Sequence, residues 1–113
     1  MSVLVVGSVA FDALETPFGK VDRTLGGAAT YFAVAASYFV PVRLVGVVGD
    51  DFTKKDAGIF RGRRIDTAGL ERVPGKTFFW HGRYSEDMNQ RITLATELNV
   101  FADFNPKLPL PYR

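Results

Sequence analysis

The sequence predicts an α/β fold, in which a Rossmann-type parallel sheet packs against helices and a small β-sheet projects from it. Residues 2–6 (SVLVV) and 42–48 (VRLVGVV) are continuous apolar, β-branched runs, which are typical of strands buried on both faces of a parallel sheet. Between them, residues 26–39 (GGAATYFAVAASYF) are rich in alanine and favour a helix. Strand, helix and strand in this order indicate a βαβ unit.

The two predicted helices have boundary signals. The first begins just after its leading glycine pair and ends before Pro41, because proline disfavours helical geometry in the residue before it. Asp50 or Asp51 is expected to cap a second helix that runs to about residue 63. The other interpretation of these aspartates is a pair of catalytic acids. Adjacent carboxylates rarely point at one substrate, so the cap is preferred.

The projecting sheet is predicted from segments that break the strand–helix rhythm. Residues 15–25 (ETPFGKVDRTL) contain short extended patches, and residues 76–84 and 91–98 flank a polar turn. The last segment alternates in polarity, which predicts an antiparallel hairpin with one solvated face. Its predicted apolar face consists of Ile92, Leu94, Thr96 and Leu98.

Composition excludes several classes of function. The chain has 113 residues, of which 47% are hydrophobic, and a net charge of +2 that is too small and dispersed to predict nucleic-acid binding. The sequence has no cysteine, which excludes disulfides and thiolate metal sites. The lone His81 excludes a zinc site with two imidazoles. With no signal-peptide pattern and no apolar run near the ~20 residues of a membrane span, we expect a cytoplasmic protein without a membrane partner.

Two motifs resemble nucleotide-binding signatures and fail on detail. Residues 69–77 (GLERVPGKT) have five residues between the first glycine and Gly-Lys-Thr where a P-loop has four, and a strand is predicted where a P-loop opens a helix. After the first strand, the sequence GSVAFD lacks the G-x-G-x-x-G of a dinucleotide fingerprint.

Asp12, Gly26 and Gly27 are the stronger candidates for a site. The glycine pair permits positive φ and close approach of a ligand to the backbone, and a plain tight turn is the alternative interpretation. Asp12 lies six residues past the first strand, near the carboxyl edge where open α/β sheets bind ligands. An ionised carboxylate only accepts hydrogen bonds and suits neighbouring sugar hydroxyls, although a lone loop acid is more often a surface residue.

Three segments together resemble the opening of the ribokinase-like (PfkB) carbohydrate kinases. They are VVGSVAFD, LGGAATYFAVAAS and VRLVGVVGDDF, and the resemblance extends over essentially the whole chain as the N-terminal portion of such a kinase. It implies that Asp12 binds substrate hydroxyls, and that Gly26 and Gly27 line the sugar site and form a hinge. Many members have an asparagine where this chain has Tyr31, which offers a hydroxyl and a ring for a ring-shaped or longer ligand.

The resemblance also implies a lid and a phosphoryl transfer. Residues of about 15–25 and 76–98 correspond to the family's β-sheet lid, which excludes water and can form a homodimer. The complete protein would transfer phosphate from ATP, with Mg²⁺, to a hydroxyl of a sugar or nucleoside-like molecule. The family's catalytic Gly-Ala-Gly-Asp motif is absent from this sequence. We therefore expect this chain to contribute substrate binding, no catalytic residue and little of the ATP site.

A non-catalytic ligand-binding or dimerisation module is the alternative hypothesis. The aromatic run Phe78, Phe79 and Trp80 would be buried at a dimer interface, or equally in the core. The proline-rich tail, residues 105–113, and the few predicted strands suggest a fold that continues beyond this chain.

Overall fold

The computed structural model describes residues 1–112, and for residues 21 and 22 it describes the backbone only. The described residues form seven strands, two α-helices and three short 3₁₀ segments. The strands are β1 (Val3–Val6), β2 (Ala10–Thr16), β3 (Gly19–Gly26), β4 (Val42–Val48), β5 (Ile65–Arg72), β6 (Phe78–Tyr84) and β7 (Arg91–Glu97). The helices are α1 (Ala28–Ser37) and α2 (Lys54–Ala57), and the 3₁₀ segments are Gly58–Phe60, Asn99–Asp103 and Leu110–Tyr112.

The first sheet is parallel, with strand order β1-β4-β5. The central strand β4 is apolar throughout its middle, and Leu44 and Val45 have no exposed surface. α1 packs on this sheet through the small residues Ala29, Ala33 and Ser37, which recur every four positions and therefore lie on one helix face. The predicted α/β fold with a parallel sheet is confirmed. One detail differs, because Leu4 and Val6 are exposed and β1 is covered on one face only.

The second sheet has the order β3-β2-β6-β7. β2 and β3 form an antiparallel hairpin, β2 and β6 pair in parallel, and β6 and β7 form the antiparallel hairpin expected from the sequence. Phe11 on β2 is 3% exposed, and its ring centroid lies 6.3 Å from that of Phe52, which follows β4 of the first sheet. One face of the second sheet thus packs on the core.

The predicted alternation of β7 is wrong because a bulge interrupts it. His81 pairs with Ala95, but the next residue, Gly82, pairs with Thr93, so β7 has one extra residue at this point. Beyond the bulge Arg91 and Thr93 face the same side as Trp80. The predicted apolar face does not exist as one surface, and Ile92 and Leu94 are exposed.

The second predicted helix is also wrong in length and in its cap. α2 has only four residues, and its N-cap is Thr53, whose side chain accepts a hydrogen bond from the Asp56 amide. Asp50 and Asp51 instead accept hydrogen bonds from residues 75 and 77. The segment that follows α2 turns into β5, a third parallel strand that the sequence pattern did not predict. Within residues 1–112, the helices are too short or too polar to cross a membrane.

Candidate substrate-binding site

Asp12 lies in the middle of β2, on the face of the second sheet opposite to Phe11. Its register partners are Thr24 on β3 and Trp80 on β6, so it belongs to the sheet and not to the loop that its sequence position suggested. The carboxyl group is half-buried, and this burial raises its pKa above the ordinary value of 3.8. A carboxylate in this position lacks part of its hydration and gains from ligand hydroxyls that donate to it.

Gly26 brings Asp12 and Tyr31 together. A Cβ atom on Gly26 would lie 2.1 Å from Asp12 Oδ2 and 3.1 Å from the Tyr31 hydroxyl. Both polar groups therefore occupy the space that a side chain at position 26 would fill. A larger residue here would displace the Asp12 carboxylate.

Gly27 has a different role, which is to turn the chain from β3 into α1. Its φ of 93° is in the region that favours glycine, and an added Cβ would lie 2.5 Å from the backbone oxygen of Ser8. The amide of Ala28 donates to Ser8 Oγ at 3.0 Å, and the amide of Ala29 donates to Ser8 O at 2.9 Å. The close approach at Gly27 is thus to the chain itself, and these first two amides of α1 are already bonded.

Tyr31 projects from the first turn of α1 toward the second sheet. Partial burial, then the negative charge of Asp12 and the phenol of Tyr84, raise the pKa of the Tyr31 hydroxyl above its ordinary value of 10.0. The phenol therefore stays protonated and can donate a hydrogen bond. The residue is 59% exposed, which leaves most of its ring accessible to a ligand.

Trp80 and Tyr84 complete this face of the sheet, and sequence analysis did not place either in the site. Trp80 is the register partner of Asp12, and Tyr84 follows on the same face because side chains alternate along a strand. We name the set Asp12, Gly26, Tyr31, Trp80 and Tyr84 the site face. It combines one acceptor carboxylate with three aromatic rings, an arrangement that suits a polyhydroxylated ligand with apolar or planar parts.

The opposite face of the second sheet has an ion cluster centred on Glu15. Arg83 Nε donates to the Glu15 carboxylate at 3.0 Å, and Lys20 Nζ and His81 Nε2 lie 3.4 and 3.6 Å from its other oxygen. The Arg83 hydrogen bond is the main cause that lowers the pKa of Glu15 below its ordinary value of 4.5. Glu15 links β2, β3 and β6.

The P-loop-like segment has a structural role. Thr77, which is 1% exposed, donates through its amide and its hydroxyl to Asp51 Oδ1 at 2.9 and 2.6 Å. The amide of Gly49 donates to the same hydroxyl at 2.9 Å. These bonds connect the end of β4 to the start of β6.

Among residues 1–112 no group of three or more acidic or histidine side chains is placed to hold a metal ion.

Comparison with known proteins supports the fold. No family model matches the sequence. A cytidine kinase from Thermococcus kodakarensis is 30% identical over 112 residues, which cover 98% of this chain and 39% of that enzyme. This chain therefore spans well under half of its curated relative.

Solved structures of kinases are similar at lower identity. The nucleoside kinase of Burkholderia thailandensis in complex with inosine has a TM-score of 0.71 at 17% identity, over 88% of this chain and 37% of its own. The nucleoside kinase of Methanocaldococcus jannaschii, an archaeal member of the ribokinase family, has a TM-score of 0.71 at 20% identity, over 95% and 41%. The fructokinase of Halothermothrix orenii has a TM-score of 0.64 at 17% identity, over 87% and 39%. The chain has the ribokinase-like fold that its motifs indicated.

Proposed function

We propose that this chain is the substrate-binding portion of an ATP-dependent kinase that phosphorylates a hydroxyl of a nucleoside or sugar. The observation that carries the proposal is the convergence of Asp12 and Tyr31 above Gly26. The similarity to a cytidine kinase and to nucleoside and sugar kinases supports the same class of substrate.

Asp12 is proposed to accept hydrogen bonds from two neighbouring hydroxyls of the substrate. Its two oxygens present acceptors only, whereas the Tyr31 hydroxyl can donate. Charge-assisted hydrogen bonds of this kind contribute roughly 1.5–3 kcal/mol each. Together they would fix the orientation of a ribose or hexose against the sheet.

The second sheet is proposed to act as a lid over the substrate, with Gly26 and Gly27 at its hinge. It is connected to the first sheet by residues 7–9 and residues 73–77, and to α1 by residue 27. The Gly27 conformation at the end of β3 allows the chain to turn sharply there. Closure would exclude water from the reacting phosphate.

ATP and Mg²⁺ are proposed to bind mainly to parts of the complete protein outside this chain. The described residues lack a cluster of metal ligands, and the sequence lacks the Gly-x-Gly-Asp that the family resemblance associates with catalysis. Bound together, ATP and Mg²⁺ would supply the phosphoryl group and neutralise its charge. The residues of this chain would bind and orient the acceptor.

A binding or dimerisation module without catalytic activity is the second candidate. Ile92 and Leu94 are exposed on β7, which is the edge strand of the second sheet, and such an edge can pair with a second copy of the lid. The two candidate functions are distinguished by phosphoryl transfer, which the complete protein would perform if it is a kinase and would not perform if it is a binding or dimerisation module.

The test compares Asp12→Asn with wild type in the complete protein, supplied with ATP, Mg²⁺ and a panel of nucleosides and sugars. Wild type should phosphorylate at least one of them, and the variant should lose about 10²-fold or more in kcat/KM, because asparagine keeps one acceptor and adds a donor. Asp103→Asn, an exposed aspartate outside the site face, is the matched control and should stay within about twofold. Absence of any phosphorylated product contradicts the proposal, as would activity of the 113-residue chain by itself.

The pH dependence gives a second readout of the same variant. Because burial raises the pKa of Asp12, substrate binding should fall on acidification at a higher pH than for an ordinary aspartate. Asp12→Asn should lose this acidic limb. If wild type and Asp12→Asn lose substrate binding at the same acidic pH, the titrating group is not Asp12.

A further inference from the structure

We propose that the first sheet has an anion site at its amino edge, where Arg43, Arg63 and Arg64 bind the phosphate group of a small phosphate monoester. The three arginines line one cavity of about 630 Å³, which is open to solvent. This volume is within the range of about 300–1,000 Å³ that is common for small-molecule sites. The site is separate from the substrate site proposed above and does not depend on it.

The pairing of two strands brings these arginines together. Val42 and Ile65 are register partners where β4 and β5 begin. Arg43 follows Val42, and Arg63 and Arg64 precede Ile65, so all three lie at the amino ends of the parallel strands. The second sheet, with the site face, follows the carboxyl ends of β1 and β5. The seven residues of β4 separate the two edges of the first sheet by roughly 20 Å.

Neutral groups hold two of the guanidinium groups in place. Arg63 Nε donates to the Ile59 backbone oxygen at 2.9 Å, and Arg63 Nη1 donates to the Tyr38 hydroxyl at 3.1 Å. Arg43 Nη1 donates to the Pro111 backbone oxygen. These acceptors fix the direction of the guanidinium groups and leave their positive charge uncompensated. A preorganised cation loses little further side-chain freedom when an anion binds to it.

The charges around the cavity do not balance. Arg64 is exposed, and its hydrogen bond to the Ser37 backbone oxygen is long, at 3.5 Å, so most of its N–H donors remain available to a ligand. Asp66 is the one acidic residue among the described residues that line the cavity, and it accepts a hydrogen bond from the Ala68 amide at 2.9 Å. In the part of the chain that the structure describes, none of the three arginines forms an ion pair. Three guanidinium groups against one carboxylate leave two positive charges unbalanced.

A phosphate monoester has the charge and the oxygen atoms that suit this arrangement. Its phosphate group carries a charge of roughly −1.5 to −2 at pH 7 and has three strong acceptor oxygens. A guanidinium group binds phosphate oxygens through parallel N–H donors, and a concave positive surface attracts anions. A phosphate diester, as in a nucleic-acid backbone, has a single charge and one fewer free oxygen. The cavity therefore favours a phosphate at the end of a small molecule.

The test measures binding of ribose 5-phosphate to the complete protein by calorimetry at constant ionic strength, with ribose as the unphosphorylated control. Arg64→Gln should weaken one ribose 5-phosphate site by about fivefold or more, and Arg64→Glu should remove that site from the stoichiometry. Arg64→Lys should retain part of the affinity, because it keeps the charge and loses the paired donors.

Lys55→Gln is the matched control, because it removes one positive charge at an exposed position of α2 outside the cavity. It should leave the affinity within about twofold. All of these variants should keep the wild-type Tm without ligand, since Arg64 makes a single long hydrogen bond. Equal affinity and stoichiometry in wild type and Arg64→Glu would overturn the proposal.

Hydrogen exchange of the complete protein locates the bound phosphate. Ribose 5-phosphate should slow amide exchange at residues 42–43 and 63–66 in wild type and not in Arg64→Glu. Protection confined to the second sheet would assign all of the binding to the substrate site and contradict a second site. A short single-stranded RNA without a terminal phosphate should not displace ribose 5-phosphate from residues 63–66. Displacement by this RNA would assign the surface to a nucleic-acid backbone, and the phosphate monoester would be the wrong ligand.

Discussion

The two adjacent glycines differ in the atoms that occupy the space where a side chain would be. The space at position 26 is occupied by the flexible end of the Asp12 side chain, whereas the space at position 27 is occupied by the Ser8 backbone. The sequence motif presents Gly26 and Gly27 as equivalent. The structure separates them, because a side chain can rotate away and a bonded backbone cannot.

Gly26→Ala and Gly27→Ala should therefore fail in different ways. Gly26→Ala is expected to keep the fold and to weaken substrate binding by about tenfold or more, since the new methyl displaces the carboxylate. Gly27→Ala adds both a backbone clash and an unfavourable φ, and should lower the free energy of unfolding by roughly 1–3 kcal/mol or more. Thermal unfolding and substrate titration of each variant measure the two effects. A folding defect in Gly26→Ala larger than that in Gly27→Ala would contradict this account.

At the scale of elements, the sequence predicted the strands and helices that depend on local sequence pattern. The strand at 42–48 and the helix after the glycine pair were located to within about two residues, because a buried central strand and a small-residue helix both show in their own composition. β5 (IDTAGLER) has few residues that favour strands and forms because β4 offers it a parallel partner. The bulge in β7 was not predicted for the same reason, because it depends on the pairing of β7 with β6.

The residues of the site also divide into those that the sequence indicated and those that depend on the pairing of strands. Sequence position made Asp12, Gly26 and Gly27 candidates, and the family resemblance assigned their roles and added Tyr31. The structure places Asp12 and Tyr31 next to Gly26, whereas Gly27 forms the turn. Trp80 joins Asp12 only through the register of two strands 68 residues apart in sequence. Local pattern contains no information on that register.

Glu15 shows how the strands of the second sheet are held together on the face that also carries Phe11. Its lowered pKa means that the ion cluster stabilises the folded sheet above the ordinary carboxyl pKa and that this contribution is lost as the pH falls through the lowered value. Glu15→Gln should therefore increase amide hydrogen exchange in β2, β3 and β6 by roughly a few-fold at neutral pH. The difference from wild type should disappear in acid. Glu86→Gln, at an exposed position in the β6–β7 turn, is the control. Equal amide exchange in the two variants would show that the ion cluster does not stabilise the sheet.

At the scale of the molecule, two of the exposed apolar surfaces within the described residues include an edge strand of a sheet. The first consists of Leu4 and Val6 on β1 and Phe32 on α1, which are 40%, 47% and 56% exposed. β1 is also the edge of the first sheet, so one side of its backbone has no strand partner in residues 1–112. The second surface is Ile92 and Leu94 on the edge strand β7. Each combines apolar side chains with an open strand edge, a combination that promotes association.

The 113-residue chain by itself should therefore self-associate. Sedimentation velocity over a range of concentrations is expected to show species larger than the monomer. Val6→Lys should reduce association more than Ile92→Lys, because the β1 surface is continuous with Phe32 of α1, and a lysine there adds charge to the middle of the patch. Leu110→Lys changes a residue that is 77% exposed and lies outside both sheets, and should leave association unchanged. A chain that stays monomeric at every concentration and unfolds in one cooperative transition would show that the first sheet is stable with its edge open.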